Sequence, residues 1–161
     1  MQSDFAVLQI QIWKRYEDEV SVSIRIPSGE VIGPIDERLG TQRLQAGSTE
    51  ILLYYGEPSP YSVLQEIYLD FLPRGTFVTE GVWKIWLSAE KIVVGAYEMW
   101  MPSESALNRG TGFLFPTENL TFTIPSTAER VITVGAYDAL TGTYAPFSGR
   151  GELLSRGAAK P

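Results

Sequence analysis

Glu19-Val20-Ser21-Val22-Ser23-Ile24-Arg25-Ile26 alternates without a break. Val20, Val22, Ile24 and Ile26 fall on one side, and Ser21, Ser23 and Arg25 on the other. A period of two is the signature of a strand with one face in a core and the other in water. Pro27-Ser28-Gly29 closes the run with turn residues. Upstream, Asp4 to Lys14 alternates in the same way, with Leu8, Ile10 and Ile12 against Gln9 and Gln11. The polar step between the two runs, Arg15-Tyr16-Glu17-Asp18, reads as a solvated hairpin turn.

The pattern continues downstream. Ile51 to Tyr55 is short and apolar. Val63, Ile67, Leu69 and Phe71 alternate with Glu66, Tyr68 and Asp70. Gly81 to Ser88 places Trp83, Ile85 and Leu87 on one side. Ile92 to Met101 is apolar on both faces, so its inner side is not assigned by pattern. Gly56-Glu57-Pro58-Ser59-Pro60, Pro73-Arg74-Gly75 and Ala89-Glu90-Lys91 punctuate these runs. Many short strands with almost no helical periodicity predict an all-β, antiparallel two-sheet sandwich of the jelly-roll type.

The character changes near Pro102. Residues 103–119 are rich in Ser, Asn, Gly and Thr and read as a long loop. Leu120 to Ile124 follows, and Ser126 with Glu129 fits a capping box for one helical turn. Val131-Ile132-Thr133-Val134-Gly135-Ala136 is then apolar on both faces, as a parallel strand covered on both sides would be. Ser148 to Pro161 reads as a loop.

Composition bounds the chemistry. The chain has 161 residues, 44% of them hydrophobic, and includes 4 Trp, 8 Tyr and 7 Phe. That is ample for a core. With 13 Lys and Arg against 19 Asp and Glu, the net charge is −6, which argues against nucleic acid as the main partner. No apolar run is long enough to cross a bilayer, and Met1-Gln2-Ser3-Asp4 does not open a signal peptide. There is no histidine and no cysteine. A Ser-His-Asp or Cys-His nucleophile therefore cannot be assembled from this chain alone. A Cys/His zinc site and a disulfide are equally excluded, and only oxygen ligands for calcium or magnesium remain.

Three motifs in the last third occur in a recognisable order. They are Val131-Ile132-Thr133-Val134-Gly135-Ala136, Phe147-Ser148-Gly149-Arg150-Gly151, and Lys160-Pro161. Residues 122–161 thereby resemble the subtilisin-like serine proteases (subtilases). In that family a T-V-G-A strand precedes an F-S-x-x-G loop and a K-P-D-x-x-A-P-G segment. Residues 4–102 look like the jelly-roll domain inserted in clostridial subtilases of the germination-protease type. Ile26-Pro27-Ser28-Gly29-Glu30-Val31-Ile32, Gly81-Val82-Trp83-Lys84-Ile85-Trp86-Leu87 and Gly95-Ala96-Tyr97-Glu98-Met99-Trp100-Met101-Pro102 carry that second resemblance.

The resemblance implies residues 1–116 as a jelly-roll insert and 117–161 as a partial subtilase segment, a strand and loop of an α/β protease domain. It implies a non-catalytic, structural role within a serine endopeptidase that hydrolyses peptide bonds. The rest of that protease would be the partner, in a cell-envelope, spore-associated or secreted setting. No catalytic, cofactor-binding or metal-binding residue is carried over. The family's Asp, His and oxyanion Asn precede the T-V-G-A strand, and its nucleophile lies in a later G-T-S-x-x-x-P motif. Ser148 is not that serine. A doubly apolar 131–136 strand without its protease neighbours is expected to have residues 120–140 add to a jelly-roll edge or exchange with another chain.

Weaker candidates remain. Glu17, Asp18 and Glu19 could offer oxygens to calcium, but no D-x-D-x-D-G ladder is present, and a solvated turn is the simpler reading. Asp36 and Glu37 read as surface charges. Tyr54, Tyr55, Tyr68, Trp86 and Trp100 could line a sugar-binding face, although sandwich aromatics more often serve a core or a domain contact. A stand-alone carbohydrate- or cell-wall-binding module is therefore the second reading, and coplanar aromatics along one sheet would favour it. Asn119-Leu120-Thr121 is a glycosylation sequon in form. Gly110-Thr111-Gly112 and Gly149-Arg150-Gly151 lack the strand-helix context of a phosphate loop.

Overall fold

In a computed structural model, residues 7–151 are described, except 118, 124, 125, 128 and 129. The capping-box Glu129, and Lys160-Pro161, lie outside the described residues. The chain divides into two compact units, Met1–Gly112 and Phe113–Pro161.

The first unit is an antiparallel sandwich. Its strands are β1 (Leu8–Arg15), β2 (Glu19–Arg25), β3 (Val31–Ile35), β4 (Gly40–Ala46), β5 (Thr49–Tyr55), β6 (Leu64–Pro73), β7 (Lys84–Lys91) and β8 (Tyr97–Trp100). One sheet has the order β4-β5-β6-β1-β8 and the other β3-β2-β7. Alternation decides which side chains meet between them. Ile10 and Ile12 of β1, Ile51, Leu53 and Tyr55 of β5, and Ile67, Leu69 and Phe71 of β6 are buried. They face Val20, Val22 and Ile24 of β2, with Ile26 and Ile35 completing the cluster. Ile85 and Leu87 of β7 and Met99 of β8 pack against its margin, so Met99 marks the inner side of the β8 strand that pattern left open. Trp83 stands edge-on to Phe71, with ring centroids 5.1 Å apart, and its Nε1–H donates to the Thr79 carbonyl at 2.9 Å. Buried apolar rings with their one polar atom satisfied suit a core boundary.

The Arg15–Asp18 step is not a hairpin. β1 pairs with β6 and β8, whereas β2 pairs with β3 and β7. The step carries the chain from one sheet to the other. Alternation fixes which face a side chain takes and leaves the choice of sheet open.

Among the described residues of 103–119 the chain forms a loop with a 3-10 turn at Glu104–Ala106. In the second unit the described strands are β9 (Tyr137–Asp138) and β10 (Thr143–Tyr144), which form a small hairpin. Its turn is set by Asp138, whose Oδ1 accepts the Leu140 N–H at 2.8 Å, and by Gly142 at φ 67°. The expected strand over Val131–Ala136 is absent: these residues join no ladder. A parallel strand exists only beside neighbours, and none lies along it among the described residues.

Candidate functional site

Three places were marked by the sequence, and the structure treats each differently. The first is the acidic step Glu17-Asp18-Glu19. Glu17 and Glu19 are exposed, but Asp18 is only 2% exposed. The loop that follows β7 arches over it. Asp18 Oδ1 accepts the N–H groups of Val93 at 2.6 Å and Val94 at 2.9 Å, and Oδ2 accepts that of Gly95 at 2.9 Å. Gly95 supplies the left-handed backbone, φ 74°, that turns its amide inward. Both carboxylate oxygens thus accept backbone donors from the one loop. Among the described residues no group of three His, Cys, Asp or Glu is placed to hold a metal.

Beneath Asp18 lies Lys14, 1% exposed and on the inward face of β1. Its ammonium donates to the Asp18 carbonyl and stands 3.2 Å from Glu37 Oε2 in an ion pair that is not aligned as a hydrogen bond. Glu37 is therefore no bystander surface charge, while Asp36 is exposed as expected. The Tyr55 hydroxyl reaches the Val20 and Ile35 carbonyls at 3.2 and 3.3 Å. Burial, then Glu37 and Asp36, raise its ionisation above the ordinary phenol range. This cluster ties the two sheets and the β7–β8 loop together.

The backbone donors of Val94 and Val93 hold the Asp18 carboxyl below its ordinary 3.8, with Gly95 and Lys14 adding to them against desolvation. A depressed acid contributes stability that is complete above 3.8 and is lost as pH falls through the folded-state value. Desolvation raises Asp70, which acts in the opposite direction and strengthens the fold on acidification. Thermal melts of wild type and Asp18→Asn from about pH 6 to pH 2 should differ most above about pH 4 and converge at the acid end. A constant gap across the range would show that the Asp18 charge is not what holds the loop.

The second place is the set of aromatics. The structure separates them. Tyr55 is in the core and Trp86, 42% exposed, lies on the outer face of the three-stranded sheet. Tyr54, Tyr68 and Trp100 come together on the outer face of the five-stranded sheet. Registers Tyr54↔Tyr68, Tyr68↔Gln11 and Gln11↔Trp100 put them in one row across β5, β6, β1 and β8. Trp13 joins them from the next row, between Glu66 and Glu98. Its place was readable from β1 alternation, since Gln9, Gln11 and Trp13 share a parity.

The third place is the motif-bearing second unit. Ser148 Oγ accepts the Ala136 N–H at 3.0 Å and donates to the Gly149 carbonyl at 3.2 Å. It fastens the Phe147–Gly149 turn to the end of the 131–136 segment. Thr121 clamps Arg150 through two bonds, N–H to the Arg150 carbonyl at 2.9 Å and Oγ1 from the Arg150 N–H at 2.8 Å. The Arg150 guanidinium lies 5.4 Å from the Tyr144 ring centroid. Gly149 is required there, because a Cβ would come within 2.9 Å of the Phe122 ring. Around this clamp the apolar side chains face outward: Ile132 is 95% and Val134 85% exposed, with Phe115, Leu140 and Phe147 also bare. A soluble surface rarely presents so many large apolar groups unless something covers them.

No protein-family model matches the chain, and no curated protein matches it. Among solved structures it is similar to the Clostridium perfringens CspB protease, with a TM-score of 0.84 and 31% identity over 99% of this chain. The match takes in 33% of that protease, so the chain spans about a third of its length. The likeness runs through both units, the sandwich and the segment with the T-V-G-A and F-S-G-R motifs. By fold, then, this chain is subtilase-related and is similar to a protease-associated domain.

Proposed function

We propose that this chain is the non-catalytic jelly-roll domain of a subtilisin-like serine endopeptidase, together with the stretch of protease that follows it. Its role is to dock on the protease body and hold it rigid, and so to limit which peptides reach the cleft. The observation that carries this reading is the outward-facing Val131–Ala136 segment. Its sequence resembles a buried subtilase strand, yet Ile132 and Val134 are bare. Covering those side chains against neighbouring strands supplies both the ladder and the apolar contact that the segment lacks. Peptide-bond hydrolysis by acyl transfer to serine would belong to the body. Within this chain no histidine exists to act as base.

The coding sequence on either side tests the assignment. D-T/S-G and H-G-T motifs upstream with G-T-S-M-A downstream are expected. A flanking sequence without them would end the protease reading and leave the sandwich as a binding module.

The same bare segment makes a second expectation. Without the body, residues 120–140 should exchange or pair between two copies of the chain. The sandwich core lies wholly within residues 8–101, so a chain ending at Pro116 retains it. Light scattering should show the 161-residue chain associating with concentration and the shorter one monomeric. Two monomers would count against exchange.

A further inference from the structure

We propose that the outer face of the five-stranded sheet binds an extended, neutral glycan chain of β-linked pyranoses. The proposal goes beyond docking on a protease and does not depend on it, since it uses residues of the sandwich alone.

The face has a particular order. Thr41, Tyr54, Tyr68, Gln11 and Trp100 follow one another across five strands in register. Tyr54, Tyr68, Trp13 and Trp100 are each half-exposed, so their rings are neither core nor fully solvated. Adjacent strands lie about 4.8 Å apart. Tyr54 and Tyr68 are one strand apart and Tyr68 and Trp100 two, steps that suit successive rings of an extended glycan. Aromatic faces stack on the C–H faces of pyranoses, and an equatorially linked chain is flat enough to meet several of them at once.

Polar groups stand among the rings. Gln11 Nε2 donates to Glu66 Oε1 at 2.9 Å, which fixes an amide and a carboxylate between Tyr68 and Trp13. Glu98 flanks Trp13 from the other side, and the Trp100 Nε1–H points to its Oε2 at 3.4 Å. Carboxylates and amides accept sugar hydroxyl protons, and the clustering of rings with acceptors is the make-up of a small-ligand surface rather than of a plain apolar contact. Charge narrows the ligand. Glu50 on this face is matched by Arg43 at 3.0 Å, but Glu66 and Glu98 face no cation in the rows they share with Trp13. Arg15 and Asp70 also lie on this face, which with Glu66 and Glu98 keeps an acidic balance that disfavours uronic acids, phosphates and sulfates and leaves neutral sugars.

Titration calorimetry of the 161-residue chain with cellohexaose and with N-acetylchitohexaose tests this. Saturable binding with a Kd of about 1 mM or tighter is expected for one of the two. Trp100→Ala and Tyr68→Ala should each weaken it by about fivefold or more. Trp86→Ala, on the opposite sheet, should leave it unchanged. Because all three side chains are partly exposed, unchanged far-UV circular dichroism and melting are expected to show that the variants fold. Should one of them fail to fold, Tyr54→Ala takes its place. No heat with either sugar at about 10 mM would overturn the proposal. So would binding that survives loss of both Trp100 and Tyr68. An effect of these substitutions on self-association alone, with no sugar bound, would mark the face as a protein contact and overturn it equally.

Discussion

Replacing Phe71 with Ala should lower the unfolding free energy by about 3–5 kcal/mol, the range for emptying a fully buried phenylalanine site. Phe71 is completely buried on β6, the middle strand of the five-stranded sheet, with Ile51 and Leu8 as its cross-strand partners. Its ring also supports Trp83, which closes the edge of the core at an interplanar angle of 75°. The substitution therefore removes transfer energy, leaves a void and unseats an indole. Cavity and contact terms act together because the two sheets cannot close rigidly around one missing ring. Urea unfolding followed by tryptophan fluorescence reads both the stability and the Trp83 environment. Phe71→Leu should cost less. A loss below about 1 kcal/mol for Phe71→Ala would mean that the ring is not the centre of the sandwich.

The next largest effect should come from Lys14→Ala, at about 3 kcal/mol, the lower end for breaking a buried pair by removing one partner. Glu37 is 21% exposed and can turn partly to water, which limits the loss. The Asp18 carbonyl loses its ammonium donor in the same step. A buried carbonyl left without a donor adds to the cost. Lys14→Met keeps the aliphatic stem and should lose less. Lys14→Met combined with Glu37→Gln should recover part of the remainder, because no uncompensated charge is then left behind. Strict additivity of the two substitutions would show that Lys14 and Glu37 are not coupled.

These two residues also show how far the sequence could be read. Phe71 was placed inward by alternation with Ile67 and Leu69, and so were Val20, Val22, Ile24 and Ile26. A period of two is a local property, and it is legible wherever one face is buried. Lys14 has the same parity as Ile10 and Ile12, and a lysine on an apolar face is the sequence trace of a buried polar cluster. What alternation does not carry is the identity of neighbouring strands. The Arg15–Asp18 step therefore looked like a hairpin, when its buried carboxylate in fact secures a crossing between sheets. Tyr55 follows Ile51 and Leu53 inward, which removes it from the aromatic set. Trp86 and Trp100 differ in sheet, which pattern alone does not reveal. The 131–136 segment is the opposite case. Its doubly apolar composition describes cover that this chain does not provide, so the motif was legible while the strand did not form.

That segment is where the docking account is most exposed to test. Amide hydrogen exchange of residues 131–136 should be measured in this chain alone and in the parent protease that the proposal expects. Exchange tracks ladder formation and burial directly. The account predicts fast exchange in the isolated chain held dilute enough to be monomeric, apart from the Ala136 amide held by Ser148, and protection approaching that of β5 and β6 within the parent protease. Equally fast exchange in both would contradict it, because the T-V-G-A segment would then have no protease sheet to join.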